Sequence, residues 1–310
     1  MTKVLFAAGD ARWEDWQAPL EAAFRDAGID ADLAQWHPPA EVDFVICAPA
    51  GPHQDFSPYT GARAVLSIWA GVEGIVDNDT LTQPLTRMVD PGLTAGMIEY
   101  VTGHVLRHHL GIDRTLRASR DGAWRPEVPP LASDRGVTVL GLGALGLAVA
   151  QALAGLGFRV TGWSRSARDA PAIRCLSGAE GLRDALRAAE ILVLLLPLTD
   201  ATEGLIDSAA LGHLPAGAFI VNPGRGALIE DRDLLAALET GHVAHATLDT
   251  FRQEPLPPEH PFWAHPGVTV TPHVASATRP ASAARVIAEN VRRGLAGEPL
   301  LHLVDRERGY

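Results

Sequence analysis

Three short segments carry the side chains best suited to chemistry, and each lies just past an apolar run. Asn222-Pro223-Gly224-Arg225-Gly226 holds an arginine between glycines. Leu248-Asp249 leads through Thr250-Phe251-Arg252-Gln253 to Glu254-Pro255, and Thr271-Pro272-His273-Val274-Ala275 sets a histidine at the end of the run from Val268. In an open parallel sheet, ligands bind beyond the carboxyl ends of the strands, so Arg225, Glu254 and His273 are expected to converge. Their chemistry suits reduction of a 2-oxo acid. Hydride addition to a carbonyl needs a proton donor at oxygen, and histidine is the side chain that ordinarily titrates nearest neutral pH. A carboxylate beside it fixes its tautomer. Arginine can bind carboxylate and carbonyl oxygen together and offset the charge that develops in the transition state. Each residue alone has a plainer reading: an arginine capping a turn, a glutamate before proline in a loop, a histidine in a sheet.

A hydride donor needs a binding site of its own. Gly141-Leu142-Gly143-Ala144-Leu145-Gly146 directly follows the apolar run Val137–Leu140 and opens a helical stretch reaching Gly157. Glycine-rich turns are common, but strand before and helix after give this one force as a dinucleotide fingerprint. Gly141 permits the tight turn, Gly143 lets a pyrophosphate approach the backbone, and Gly146 lets helix and strand pack closely. The helix N-terminus then faces the negative charge. About 20 residues on, an acid would bind the ribose 2′-hydroxyl of NAD. Here the second strand, Arg159–Trp163, runs into Ser164-Arg165-Ser166 with Arg168 nearby. Hydroxyls and guanidinium groups replace the carboxylate, and arginine makes charge-assisted hydrogen bonds to phosphate. The expected cofactor is NADP(H) in preference to NAD(H).

Elements of two kinds must position these groups. Short apolar runs alternate with amphipathic helical stretches, the signature of βαβ units and parallel sheets. The first series reads as strands Val4–Ala8, Val42–Cys47, Ala64–Ile68 and Met88-Val89, with a helix over Trp13–Ala27. Leu93–Arg117 reads as one long helix, followed by a proline-rich stretch to Leu131. The second series has strands at Val137–Leu140, Arg159–Trp163, Ile191–Leu196, Ala218–Asn222, His245–Asp249 and Val268–Thr271, with a final helix over Pro280–Leu295. The expected fold is α/β: two Rossmann- or flavodoxin-like parallel-sheet domains with an active-site cleft between them. Residues 1–96 and 280–310 would form the substrate domain and residues 97–279 the NADP(H) domain.

Composition excludes several alternatives. The chain has 310 residues and a formal net charge of −11, which argues against a nucleic-acid partner. Of 26 basic residues only Lys3 is lysine, read as a solvated flank of the first strand. There is no phosphate-loop lysine and no plausible lysine Schiff base. Anions must be held by arginine, backbone N–H groups or helix N-termini. Cys47 and Cys175 form no disulfide framework and no metal-ligand pattern, which fits a reduced, cytoplasmic setting. The first apolar stretch is too short for a signal peptide, and the longest apolar block, Ile191–Leu196, is far short of a membrane span.

Taken together, the glycine loop, Pro197-Leu198-Thr199 with Thr202, the Asn-Pro-Gly-Arg-Gly turn, Asp249 through Glu254-Pro255 and Thr-Pro-His resemble the D-2-hydroxyacid dehydrogenase family. Trp163-Ser164-Arg165, Phe262-Trp263-Ala264-His265-Pro266 and the ending Val304–Tyr310 are similar to its glyoxylate/hydroxypyruvate reductase A branch. The similarity runs over essentially the whole chain. It implies Arg225, Glu254 and His273 as the catalytic set, with His273 as acid/base, and Asp249 beside the nicotinamide carboxamide. Pro197, Leu198 and Thr202 would line the cofactor together with Gly141, Gly143, Ala144, Leu145, Gly146, His273 and Ala275. Trp69, Ala70 and Gly71 match the loop whose backbone N–H groups hold the substrate carboxylate; many relatives have glycine where Trp69 stands. Trp124 matches a tryptophan that reaches into a partner subunit's site, and a homodimer is implied.

The expected activity is NADPH-dependent reduction of glyoxylate and hydroxypyruvate to glycolate and D-glycerate. The alternatives are reduction of a bulkier 2-oxo acid, with Trp69 as the reason, and a non-catalytic NAD(P)H-sensing binding protein. No metal is expected. His104 and His108 stand at i and i+4 without a third ligand, so a helix-surface or interface role is the better reading.

Overall fold

The computed structural model describes residues 1–309; Tyr310, which closes the C-terminal motif, lies outside the described residues. The chain divides into two compact units, Met1–Leu93 with Ala277–Tyr310, and Thr94–Ser276.

The first unit is built on β1 (Thr2–Phe6), α1 (Asp10–Asp26), β2 (Ala31–Ala34), β3 (Phe44–Cys47), β4 (Ala64–Ser67) and β5 (Leu85–Thr86), with the C-terminal helix Pro280–Ala296. Its strands form one parallel sheet in the order β2-β1-β3-β4-β5. Strand side chains alternate between faces. Phe6, Phe44, Ile46 and Leu66 therefore pack with α1 and the C-terminal helix, while Leu5, Val45 and Val65 meet Phe56, Ile75 and Leu81 on the other side. Burial of both faces is why β3 and β4 read as unbroken apolar runs. Burial also pushes the Cys47 thiol up to about 12, so it is an inert core side chain. Lys3 is not a free solvated flank: its ammonium pairs with Glu41.

The second unit continues with α2 (Pro91–His109), which starts just before the unit boundary, then α3 (Ile112–Arg120), β6 (Gly136–Leu140), α4 (Ala144–Gly155), β7 (Arg159–Ser164), β8 (Ile173–Ser177) and α5 (Gly178–Arg187). It closes with β9 (Ile191–Leu194), α6 (Ser208–Leu211), β10 (Ala218–Asn222), α7 (Asp231–Glu239), β11 (Val243–Leu248) and β12 (Val268–Val270). The seven-stranded parallel sheet has the order β12-β11-β10-β9-β6-β7-β8. The direction of progression reverses between β6 and β9, the point in such sheets where ligands gather at the carboxyl edge.

The expected long helix Leu93–Arg117 is instead two helices. Gly111 takes φ 65° and interrupts the chain between α2 and α3, a conformation glycine adopts without steric cost. The short strand expected at Met88-Val89 lies at Leu85–Thr86. The N–H of Met88 instead donates to the carbonyl of Trp69 at 2.9 Å.

His108 corrects the helix-surface reading. Its ring is buried, stacks on Phe219 at 4.8 Å and shares a 3.1 Å hydrogen bond with the Thr247 hydroxyl. His245 lies 5.3 Å from it and pairs with the Thr269 hydroxyl at 2.8 Å. His104, half-buried, packs on Tyr100. Burial holds His108 down to about 3, with the His245 ring and Arg107 as lesser causes, and His245 down to about 4, with Arg107 as the next cause.

A stability prediction follows from those two rings. Above about pH 6.5 they are neutral in folded and unfolded chains alike and contribute no pH dependence. Below it the unfolded chain takes up protons that the folded chain refuses. Stability therefore falls with pH by about 1.4 kcal/mol per unit for each ring. Urea unfolding at pH 7 and pH 5 should show this loss, and His108→Leu should remove its own share, about 1.4 kcal/mol per pH unit. An unchanged slope in the variant contradicts the assignment.

Among the described residues, no group of three His, Cys, Asp or Glu side chains is placed to hold a metal ion. No described helix is long and apolar enough to cross a membrane.

Candidate active site

The glycine loop joins β6 to α4 at the sheet's switch point. Gly141 has φ 104°, and a Cβ there would run into the carbonyl of Leu195; a Cβ on Gly146 would collide with the carbonyl oxygen of Gly141. Both glycines are thus required by the turn itself. Gly143 differs: it caps α4 and its Cβ position faces open space, with no atom within 4 Å. That opening lies over the N-terminus of α4 and beside the exposed Ala144 and half-buried Leu145. Such a cradle of accessible backbone at a helix N-terminus fits a dinucleotide pyrophosphate.

At the end of β7, Ser164 donates its hydroxyl to the carbonyl of Ser166 at 2.8 Å, which tightens the turn displaying Arg165. Arg165, Ser166 and Arg168 are exposed. No carboxylate occurs between Trp163 and Arg168. After β9, the Thr202 hydroxyl donates to the carbonyl of Pro197 at 2.7 Å and accepts the N–H of Thr199 at 2.8 Å. Thr202 therefore shapes the Pro197-Leu198 loop through its hydroxyl.

Arg225, Glu254 and His273 follow β10, β11 and β12, three adjacent strands of one parallel sheet, and so share its carboxyl edge. Asn222 shapes the arginine turn: its side-chain N–H donates to the carbonyl of Arg225 at 2.9 Å, and its oxygen accepts the N–H of Gly224 at 3.1 Å. The Arg225 guanidinium donates to the carbonyl of Gly224 at 2.7 Å. Glu254 accepts the N–H of Phe251 through one oxygen at 2.9 Å and meets Nδ1 of His273 through the other at 2.7 Å. Holding Nδ1 in this way leaves Nε2 as the ring nitrogen directed elsewhere. The His273 side chain is 54% exposed.

Asp249, directly after β11, is fully buried. Its carboxylate accepts the N–H groups of Val274 and Ala275, each at 2.9 Å, so it fixes the chain just beyond His273. The sequence did not point to Tyr100 on α2, whose hydroxyl lies 2.7 Å from that of Thr271. A lone tyrosine on a helix carries no local signal of such a contact.

In the first unit, the N–H of Trp69 donates to Ser67 Oγ and Ser67 Oγ donates to the carbonyl of Trp69, both at 3.0 Å. The Trp69 ring is half-buried against the core of that unit, with the Arg12 guanidinium 5.2 Å from its centroid. Among the described residues, the N–H groups of Ala70 and Gly71 meet no acceptor in the chain. Trp124, beyond α3, is 92% exposed.

Residues 102–275 match the family model for the D-isomer specific 2-hydroxyacid dehydrogenase NAD binding domain. Over 308 residues, 96% of each protein, the chain is 36% identical to a glyoxylate/hydroxypyruvate reductase A of Serratia proteamaculans. Its fold is similar to that of a D-isomer specific 2-hydroxyacid dehydrogenase from Xanthobacter autotrophicus in complex with NADPH and MES. The TM-score is 0.94 and the identity 40%, covering 100% of this chain and 99% of the other. An NADPH-dependent glyoxylate/hydroxypyruvate reductase from Sinorhizobium meliloti, solved with NADP and sulfate, is similar at a TM-score of 0.90 and 32% identity, with 100% of both chains covered.

Proposed function

We propose, from the premise that this chain belongs to the D-isomer specific 2-hydroxyacid dehydrogenase family, that it is an NADPH-dependent reductase of small 2-oxo acids, glyoxylate and hydroxypyruvate foremost. The observation that carries the reading is the Glu254–His273 pair at the sheet's carboxyl edge: Asp249 and Glu254 follow β11, His273 follows β12 on one side of it, and Arg225 follows β10 on the other. The relatives solved with NADPH and with NADP support the cofactor.

When bound, the reduced nicotinamide supplies a hydride to the carbonyl carbon. Arg225 binds the carboxylate and the carbonyl oxygen, and its charge stabilises the oxyanion as it develops. His273, protonated at both nitrogens, gives the Nε2 proton to that oxygen and keeps its Nδ1 proton, which it donates in a hydrogen bond to Glu254. One 2-oxo acid, one hydride and one proton yield one 2-hydroxy acid. The N–H groups of Ala70 and Gly71 are assigned to the substrate carboxylate, and Trp69 to the limit on side-chain size. Gly141, Gly143 and Gly146 with Ala144 and Leu145 are assigned to the pyrophosphate, and Pro197, Leu198, Asp249 and Ala275 to the nicotinamide end. Ser164, Arg165, Ser166 and Arg168 are assigned to the 2′-phosphate.

A homodimer fits the second unit's surface. Leu116 on α3 is 51% exposed, Trp124 92% and Leu131 72%, large apolar side chains that a partner would cover. Two free cysteines suit a reducing compartment such as the cytoplasm.

Steady-state rates with glyoxylate, hydroxypyruvate, pyruvate and longer 2-oxo acids, each with NADPH and NADH, test the reading. Turnover should be fastest with the two smallest acids and NADPH. Arg165→Ala should raise KM for NADPH by about 10- to 100-fold and leave KM for NADH nearly unchanged. Equal losses with both cofactors remove the 2′-phosphate role, and no turnover with any acid favours a cofactor-binding protein without catalysis.

A further inference from the structure

We propose that Tyr100 is a positioning residue for His273, acting through the hydroxyl of Thr271 and the carboxylate of Asp249; this rests on the reading of His273 as proton donor. His273 has φ 54°, the left-handed region that a residue with a Cβ seldom adopts. Such a backbone persists only where its surroundings impose it. Here Asp249 does so: its main-chain carbonyl accepts the N–H of His273, and its side chain accepts the next two N–H groups, all at 2.9 Å.

The orientation of Asp249 is set in turn. Thr271 Oγ1 donates to Asp249 Oδ1 at 2.7 Å. A hydroxyl has a single proton, so toward Tyr100, also 2.7 Å away, Thr271 offers only a lone pair. Tyr100 must therefore be the donor. Burial raises its phenol above the ordinary value, which keeps that proton in place. The hydrogen bonds run one way, from Tyr100 on α2 to Thr271 and then to Asp249, which holds the loop carrying His273. Removing the phenol proton's partnership frees the Thr271 hydroxyl to turn away, and Oδ1 keeps only one of its two hydrogen bonds, that from the N–H of Val274. The strained turn then relaxes, and the imidazole loses its alignment with Glu254. The effect falls chiefly on the proton-transfer step, because the residues assigned to the pyrophosphate and the 2′-phosphate lie on other loops, after β6 and β7.

Tyr100→Phe keeps the ring that packs on His104 at 4.5 Å and deletes only the donor. It should lower kcat about three- to tenfold while KM for NADPH stays within about twofold. Thr271→Val should give a similar loss and Thr271→Ser should retain the wild-type rate, since serine keeps the hydroxyl. The double variant Tyr100→Phe/Thr271→Val should lose no more than either single change, because both interrupt one path. Wild-type kcat in Tyr100→Phe, or losses that multiply in the double variant, overturn the proposal. Should Tyr100→Phe fail to fold, the contrast between Thr271→Ser and Thr271→Val decides, and equal rates overturn it. A wild-type chain inactive with every 2-oxo acid overturns the function itself and the positioning role with it; an active wild type matched by Tyr100→Phe overturns the positioning role alone.

Discussion

His273→Asn is expected to lower kcat for glyoxylate reduction by about 10²- to 10⁴-fold with little change in KM for NADPH. The variant keeps a polar side chain of similar reach but has no group able to release a proton near neutral pH. Hydride arriving at the carbonyl carbon would then leave an alkoxide to take its proton from water. Glu254 sharpens the test, since its contact is with Nδ1 of His273 and the phenylalanine backbone, not with the reacting carbonyl. Glu254→Gln keeps a hydrogen-bond acceptor at that site and should cost clearly less than His273→Asn. In a His273→Asn background, Glu254→Gln should cost little more, because the imidazole it orients is gone. Stopped-flow single-turnover rates with NADPH bound separate this from slow product release. A His273→Asn enzyme within about threefold of wild type, against the factor of at least about 10² expected of a general acid, removes the histidine from the mechanism.

Much of the site is legible in the sequence because its chemistry is tied to local rules. The spacing of Gly141, Gly143 and Gly146 follows from one turn: two positions exclude a Cβ and one faces open space. Arg225 and Glu254 stand out because each follows a buried strand, and His273 because it follows a short strand, β12, that proves to be a half-buried edge. A parallel sheet brings the ends of neighbouring strands to one edge. What the sequence reading misses depends on tertiary contact. Strands β2 and β8 lie at sheet edges and are only partly buried, so Ala31–Ala34 and Ile173–Ser177 present no apolar run. Gly111 breaks a helix whose apolar periodicity continues past it in Ile112 and Leu116. His108 reads as a helix-surface histidine until the sheet is in place; stacked on Phe219 and bonded to Thr247, it belongs to the core. Tyr100 and Thr271 are 171 positions apart in the chain, and no local pattern links them.

Arg225 is expected to matter in two ways, and its variants should separate them. Arg225→Ala removes both the partner of the substrate carboxylate and the cation beside the developing oxyanion. It should raise KM for the 2-oxo acid and lower kcat by about 10²- to 10³-fold. Arg225→Lys restores a charge but not the planar fork, so it should recover part of the KM effect and less of the kcat effect. The turn makes this contrast interpretable. Asn222 holds it through the carbonyl of Arg225 and the N–H of Gly224, contacts with the backbone that any side chain at position 225 preserves. Gly226 lies so close to the backbone of Phe251 that a Cβ would overlap it, which fixes where the turn can sit. A loss of activity in Arg225→Ala is therefore expected without a loss of NADPH affinity or of thermal stability. Free guanidinium ion added to Arg225→Ala should restore part of the rate, since the space and the hydrogen-bond acceptors of the missing group remain. If NADPH affinity falls in parallel with kcat, Arg225 acts by shaping the cofactor site, and the substrate anchor must be sought in the first unit at Ala70 and Gly71.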